Sequence, residues 1–116
     1  MKDFLFVFRM DYNTMPKASP EEMQARTKRY MDWIGSIAAQ NKLSDRGNRL
    51  VSSGKVVKAG NVIADGPYTE IKEAIAGYSI VKAESIEEAA ELAKGCPVLD
   101  AGGNVEVREI SVMYKS

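Results

Sequence analysis

The chain has 116 residues and a mass of 12.8 kDa, enough for one domain with one core over residues 1–116 and too short for two. Hydrophobic residues make up 45% and charged residues 28%, a composition that excludes a disordered chain. Lysine plus arginine, 16, balance aspartate plus glutamate, 16, so no net field draws in nucleic acid or an anionic membrane.

The first element is "FLFVFRM", Phe4 to Met10. Phe4, Phe6 and Phe8 fall on one alternating set, Leu5 and Val7 on the other, which predicts a strand buried on both faces. The run ends at Met10, short of the ~18 apolar residues that a membrane span needs, and "MKDFLFVFRMDYN" lacks the length and flanks of a secretory signal. A cytoplasmic protein that does not enter the membrane is the expectation.

A loop, "DYNTMPKA", leads to Ser19, Pro20 and Glu22, whose spacing is that of a capping box with proline at the first helical position. A long helix is predicted from there, packing by a stripe of Met23, Tyr30, Ile34 and Ile37. Its basic cluster, Arg26, Lys28 and Arg29, is interleaved with Glu21, Glu22 and Asp32 and reads as a solvated face. The following "NKLSDRGNRLVSSG" is polar and broken by glycine, and reads as a loop or lid.

From Arg49 the periodicity shortens, with runs at Val56–Val57, Val62–Ile63 and Tyr78–Ala83 punctuated by Gly54, Gly60, Gly66 and Gly77: a strand pair and a further strand. Ser85 and Glu88 repeat the capping-box spacing, and a second helix is expected over about Ile86 to Lys94, closed by Gly95 in the left-handed conformation. Cys96, in "KGCPV", has no cysteine partner and no histidine anywhere to activate it, so it reads as a half-buried structural thiol. The last strand is "NVEVREISVMYK", with Val105 and Val107 alternating with Glu106 and Arg108.

Strand, helix, strand pair, strand, helix, strand is the order of a ferredoxin-like α+β sandwich. Two helices cover one face of such a sheet, yet the first strand is apolar on both. The spare face would be a patch larger than monomers usually leave in water, which predicts a two-fold homodimer.

Asp65, Gly66, Pro67 and Tyr68, then Lys72 and Glu73, Gly77 and Tyr78, an acidic alanine-rich helix, Cys96 and Pro97, and finally Glu106, Val107 and Arg108 follow the pattern of a known family. The chain resembles the YCII-related (DGPF-domain) family, with tyrosine for the usual phenylalanine at Tyr68 and isoleucine for threonine at Ile71. The match is dense from about Asn61 to Ile110, and the N-terminal "SPEEM" is also family-like. The resemblance implies a ferredoxin-like fold assembled as a dimeric α/β barrel, an architecture shared with muconolactone isomerase and small monooxygenases. It also implies a possible link with extracytoplasmic-function sigma factors. Shorter members carry a histidine on the first helix and an aspartate at a cleft proposed as an active site; aligned through "QNKL", Tyr30 stands at the histidine's place, and this chain has no histidine.

"DGPYTEIKE" has two readings. As structure, the aspartate bonds back to nearby amides, the glycine permits positive φ and the proline fixes the exit of a tight turn. As function, Asp65 is a candidate catalytic acid or base at a strand end. Arg9 and Arg108, charges on the first and last strands, are candidates to bind a carboxylate, and Tyr30, Trp33 and Tyr78 to wall an aromatic pocket. The absence of histidine, the single cysteine and the lack of a Walker loop or dinucleotide fingerprint give no expectation of a metal or nucleotide cofactor. Two functions remain: a small-molecule-binding or interaction module for an organic acid or aromatic ligand, and a cofactor-free isomerase- or dehydrohalogenase-like enzyme using Asp65.

Overall fold

The computed structural model describes residues 1–11, 19–66 and 74–112. In chain order the elements are β1 (Lys2–Met10), α1 (Pro20–Ala39), β2 (Leu43–Arg49), β3 (Gly54–Lys58), β4 (Val62–Gly66), β5 (Ala74–Ala83), α2 (Ile86–Ala93), a short 3-10 helix (Pro97–Ala101) and β6 (Asn104–Glu109). The main sheet runs β2-β5-β1-β6 and its pairs are antiparallel; β3 and β4 form a separate two-stranded sheet. The architecture is α+β, an antiparallel sheet with two helices, and its strand order is compatible with a ferredoxin-like fold.

The helix starts follow from their caps. Ser19 Oγ accepts from Glu22 N at 3.2 Å, and Ser85 Oγ from Glu88 N at 3.2 Å. The second box is used differently from the first: Glu88 turns its carboxylate to Lys42, 2.8 Å away, and so ties α2 to the segment before β2.

On β1, Phe4, Phe6 and Phe8 are buried against Trp33, Ile34 and Ile37 of α1 and Ala89 and Ala93 of α2, with Val81 and Ala83 beside them on the sheet. Both helices therefore lie on one face. Leu5 and Val7 point the other way, opposite Ile80 and Tyr78 of β5, where residues paired across antiparallel strands share a face. The molecule is 19 Å through its thinnest extent, about one sheet and one layer of helices at ~10 Å each.

Three expectations are corrected. The polar segment read as a loop contains β2, an edge strand on β5; its residues are mostly exposed, so the apolar alternation that marks a strand is missing. Met23 is 52% exposed and Trp33 takes its place in the buried stripe, because the core begins a full turn or more beyond the N-terminus of α1. Gly95 does not adopt the left-handed conformation. It is small because Trp33 lies across it: a Cβ there would stand 2.7 Å from Trp33 Cδ1. The indole Nε1 donates to Leu92 O at 2.8 Å, which holds the ring against the end of α2.

Pro67, Tyr68, Lys72, Glu73, most of "DYNTMPKA" and the end of the closing segment lie outside the described residues. Among the described residues no helix is long and apolar enough to cross a membrane.

Candidate functional site

A cavity of about 410 Å³ opens on the helix-covered side of the sheet, toward the ends of β1 and β5. That volume lies in the range of small-molecule sites, roughly 300–1,000 Å³. Phe8, Ala76, Val98 and Met31 give it apolar walls, and Arg26 from α1 with Arg46 and Arg49 from β2 add charge; among the described residues no aspartate or glutamate lines it.

The placement of Arg46 and Arg49 depends on an irregularity. Residues three apart on a regular strand face opposite sides of the sheet. Here Asp45 pairs with Ile80 and Asn48 with Tyr78, so β2 spends three steps where β5 spends two. The extra residue of this bulge brings Arg46 and Arg49 to the same face. Gly47 makes the bulge possible: its φ is +75°, and a Cβ would meet Tyr78 O at 1.7 Å. β2 also shifts register against β5 between Leu43 and Asp45, and β1 shifts between Phe8 and Arg9, where β5 carries Ala76 as the additional residue. The Gly47 bulge and the shift at Phe8/Arg9 border the cavity.

A short polar chain links the bulge to α1. Ser79, fully buried, donates to Arg46 O at 2.7 Å, and its Oγ lies 3.3 Å from Tyr30 OH. Tyr30 is held edge-on to Phe8, ring centroids 5.9 Å apart. Burial, the main influence, raises the phenol's pKa above its ordinary value, against the opposing hydrogen bond with Ser79. Tyr30 thus stays protonated at the cavity, and because Ser79 gives its proton to Arg46 O, the phenol's proton goes to Ser79 Oγ and its oxygen lone pairs remain as acceptors. Cys96 lines the wall nearby with its thiol pushed up to about 11 by burial, which leaves it protonated and unreactive near neutrality.

The six residues singled out in the sequence separate into four places. Tyr30 lines the cavity. Trp33 sits behind it in the core, stacked on Phe6 at 6.1 Å. Tyr78 is on the open face of the sheet, where Asn48 Nδ2 donates to its hydroxyl at 3.1 Å. Arg9 and Arg108 are on that face too, sharing Glu106: Arg9 Nη2 is 3.1 Å from Oε1, and Arg108 Nη1 3.2 Å from Oε2. These hydrogen bonds, Arg108's first, hold the Glu106 carboxyl below its ordinary pKa. Asp65 is on β4, 91% exposed and paired with Lys55 across the hairpin, and is not among the residues that line the cavity.

The sequence reading missed Arg26, Arg46 and Arg49. The first was taken for part of a solvated helix face, and the other two lay in the segment read as loop. The available signal was "RGNR", a glycine between two arginines inside a polar stretch, which is how a bulge that aims two cations one way can look.

A model of the YCII-related domain matches residues 10–114. The chain belongs to the YCII-related family. No curated protein matches it by sequence. Among solved structures it is similar to 5-chloro-2-hydroxyhydroquinone dehydrochlorinase from Burkholderia phenoliruptrix, determined in complex with 2,5-dihydroxybenzoquinone. The identity is 21%, the alignment covers 94% of this chain and 93% of that one, and the TM-score is 0.44.

Proposed function

We propose that this YCII-domain chain is a small-molecule-binding module whose ligand occupies the cavity between α1, β2 and β5, and that it works as a homodimer. The observation that carries the reading is the cavity itself: apolar walls of ligand-sized extent, with Tyr30 and arginines turned into them. Ligand sites commonly combine such walls with a few polar groups that fix orientation. The homodimer is supported by the open face of the sheet, where Leu5, Val7 and Ile80 lie with no helix of the described residues over them, and a second copy closing a dimeric barrel would cover them.

A thermal-shift screen with carboxylates and phenolic ring compounds tests the site. A ligand at 100-fold excess over its Kd should add about 2.7 kcal/mol to the folded state. The same compound should lose its effect on Ala76→Leu, which fills the cavity from its floor. A hit that survives unchanged in that variant binds elsewhere and sinks the reading. The dimer is tested by light scattering after size separation, where a monomeric mass at micromolar concentration is the contrary result.

The alternative, a cofactor-free acid–base enzyme built on Asp65, draws its support from the family motif rather than from the geometry. Its carboxylate is exposed and engaged by Lys55. Unchanged turnover by Asp65→Asn on any substrate found for the protein excludes that mechanism.

A further inference from the structure

We infer that the ligand of this cavity is a small organic anion carrying at least two acid groups on an apolar, ring-sized body. This rests on the cavity being the binding site and names the class of compound it takes.

The argument is one of uncompensated charge. The chain as a whole is balanced, 16 cations against 16 carboxylates. The ion pairs among the described residues engage Lys2, Arg9, Lys28, Arg29, Lys42, Lys55, Lys94 and Arg108. Arg26, Arg46 and Arg49 are in none of them, and these three line one cavity to which the described residues bring no carboxylate. Arginines left to themselves on a neutral protein are ordinarily spread over its surface and matched by neighbouring acids. Here a bulge that requires a left-handed glycine turns two of them to the same side, and α1 brings the third across from them. Like charges so gathered repel one another until an anion lies between them.

The number and origin of the cations set the valence. A monocarboxylate offers one fork to one guanidinium. Three guanidinium groups on two elements are matched by two or more acid groups on one body. Phe8, Met31, Ala76 and Val98 give that body an apolar surface to lie on, and the ring of Tyr30, whose hydroxyl proton is engaged by Ser79 Oγ, closes its inner end. The Ser79 bridge from Tyr30 to Arg46 O fixes the bulge in place before any ligand arrives, so little ordering is left to accompany binding.

The test uses three probes of one skeleton, titrated calorimetrically into the full chain at fixed ionic strength: phenol, benzoate and benzene-1,3-dicarboxylate. The dicarboxylate is expected to bind at least about tenfold tighter than benzoate, and benzoate tighter than phenol, since a charge-assisted fork is about twice as strong as a neutral hydrogen bond. Arg26→Gln, Arg46→Gln and Arg49→Gln should each erase most of the dicarboxylate's advantage. Arg29→Gln, on the same helix but outside the cavity and paired with Asp100, should leave it intact. Equal affinity for the three probes overturns the anion class while the cavity reading stands. A preference lost as much in Arg29→Gln as in the cavity variants shows a general field and also overturns it. No binding of any probe overturns both.

Discussion

The helix-covered face of the main sheet has two ends, made from the same strands and the same long helix. At one end Phe4, Phe6, Val81 and Ile37 are sealed, each at most 1% exposed. At the other, Phe8 and Tyr30 border an open cavity. The register between β1 and β5 is regular through the sealed end and breaks at Phe8/Arg9; on β2 it breaks twice, between Leu43 and Asp45 beside Val81 and between Asp45 and Asn48 at the cavity. Regular pairing keeps side chains at the spacing that two helices can interlock with. Bulges change the twist and the aim of the strand, and the gap they leave is where polar groups can face inward. The β2 shift at Leu43/Asp45 leaves Val81 sealed, so the difference teaches that the site comes from where the β1–β5 break and the Gly47 bulge meet, not from irregular pairing alone.

The largest effect expected from breaking that comparison is Phe6→Ala. Removing a fully buried ring in the sealed end should lower stability by about 3–5 kcal/mol in urea unfolding. Phe8→Ala should lose at least about 1 kcal/mol less, because the ring already borders a space that water can fill. Equal losses would mean that the two ends are packed alike. Gly47→Val comes next: the left-handed φ and the approach of Tyr78 O should together lower stability by about 2 kcal/mol or more and displace Arg46 and Arg49. A variant of wild-type stability would show that the bulge needs no glycine. Tyr30→Phe keeps the ring and removes one hydrogen bond, while Ser79 retains Arg46 O, so about 1 kcal/mol is expected from the same denaturation experiment.

The smallest effect is electrostatic and belongs to the sealed end. The hydrogen bond from Lys42 holds Glu88 below its ordinary pKa, so its contribution is present above the usual carboxylate range and is lost as the pH falls through the lowered folded value. Lys42→Met should flatten that acid limb in a series of melting curves below pH 5, whereas Arg49→Met, at the cavity, should leave it unchanged.

How much of this was legible differs between the two ends for physical reasons. The sealed end declares itself because burial imposes patterns: alternating phenylalanines on β1, serine caps three residues before glutamates, and isoleucines at helical spacing on α1. The fold class followed from those, while the family followed from the motif residues between Asp65 and Arg108. The cavity end is written in polar residues on an edge strand, where no periodicity is enforced, and its key position is a glycine whose φ is not visible in letters. Tyr30 was found because it also lies on the packing stripe. Gly95 illustrates the opposite failure: a glycine after a helix suggested a backbone reason, and the reason was a neighbour's indole.

Cys96 offers one more use of this geometry. It is the single thiol of the chain, buried in the cavity wall and held protonated. A maleimide can reach it only when the wall opens, so the rate of alkylation is a clock for that opening, set against a background with no competing site. A compound seated in the cavity should slow the clock and one bound elsewhere should not, which makes the natural sequence its own occupancy reporter.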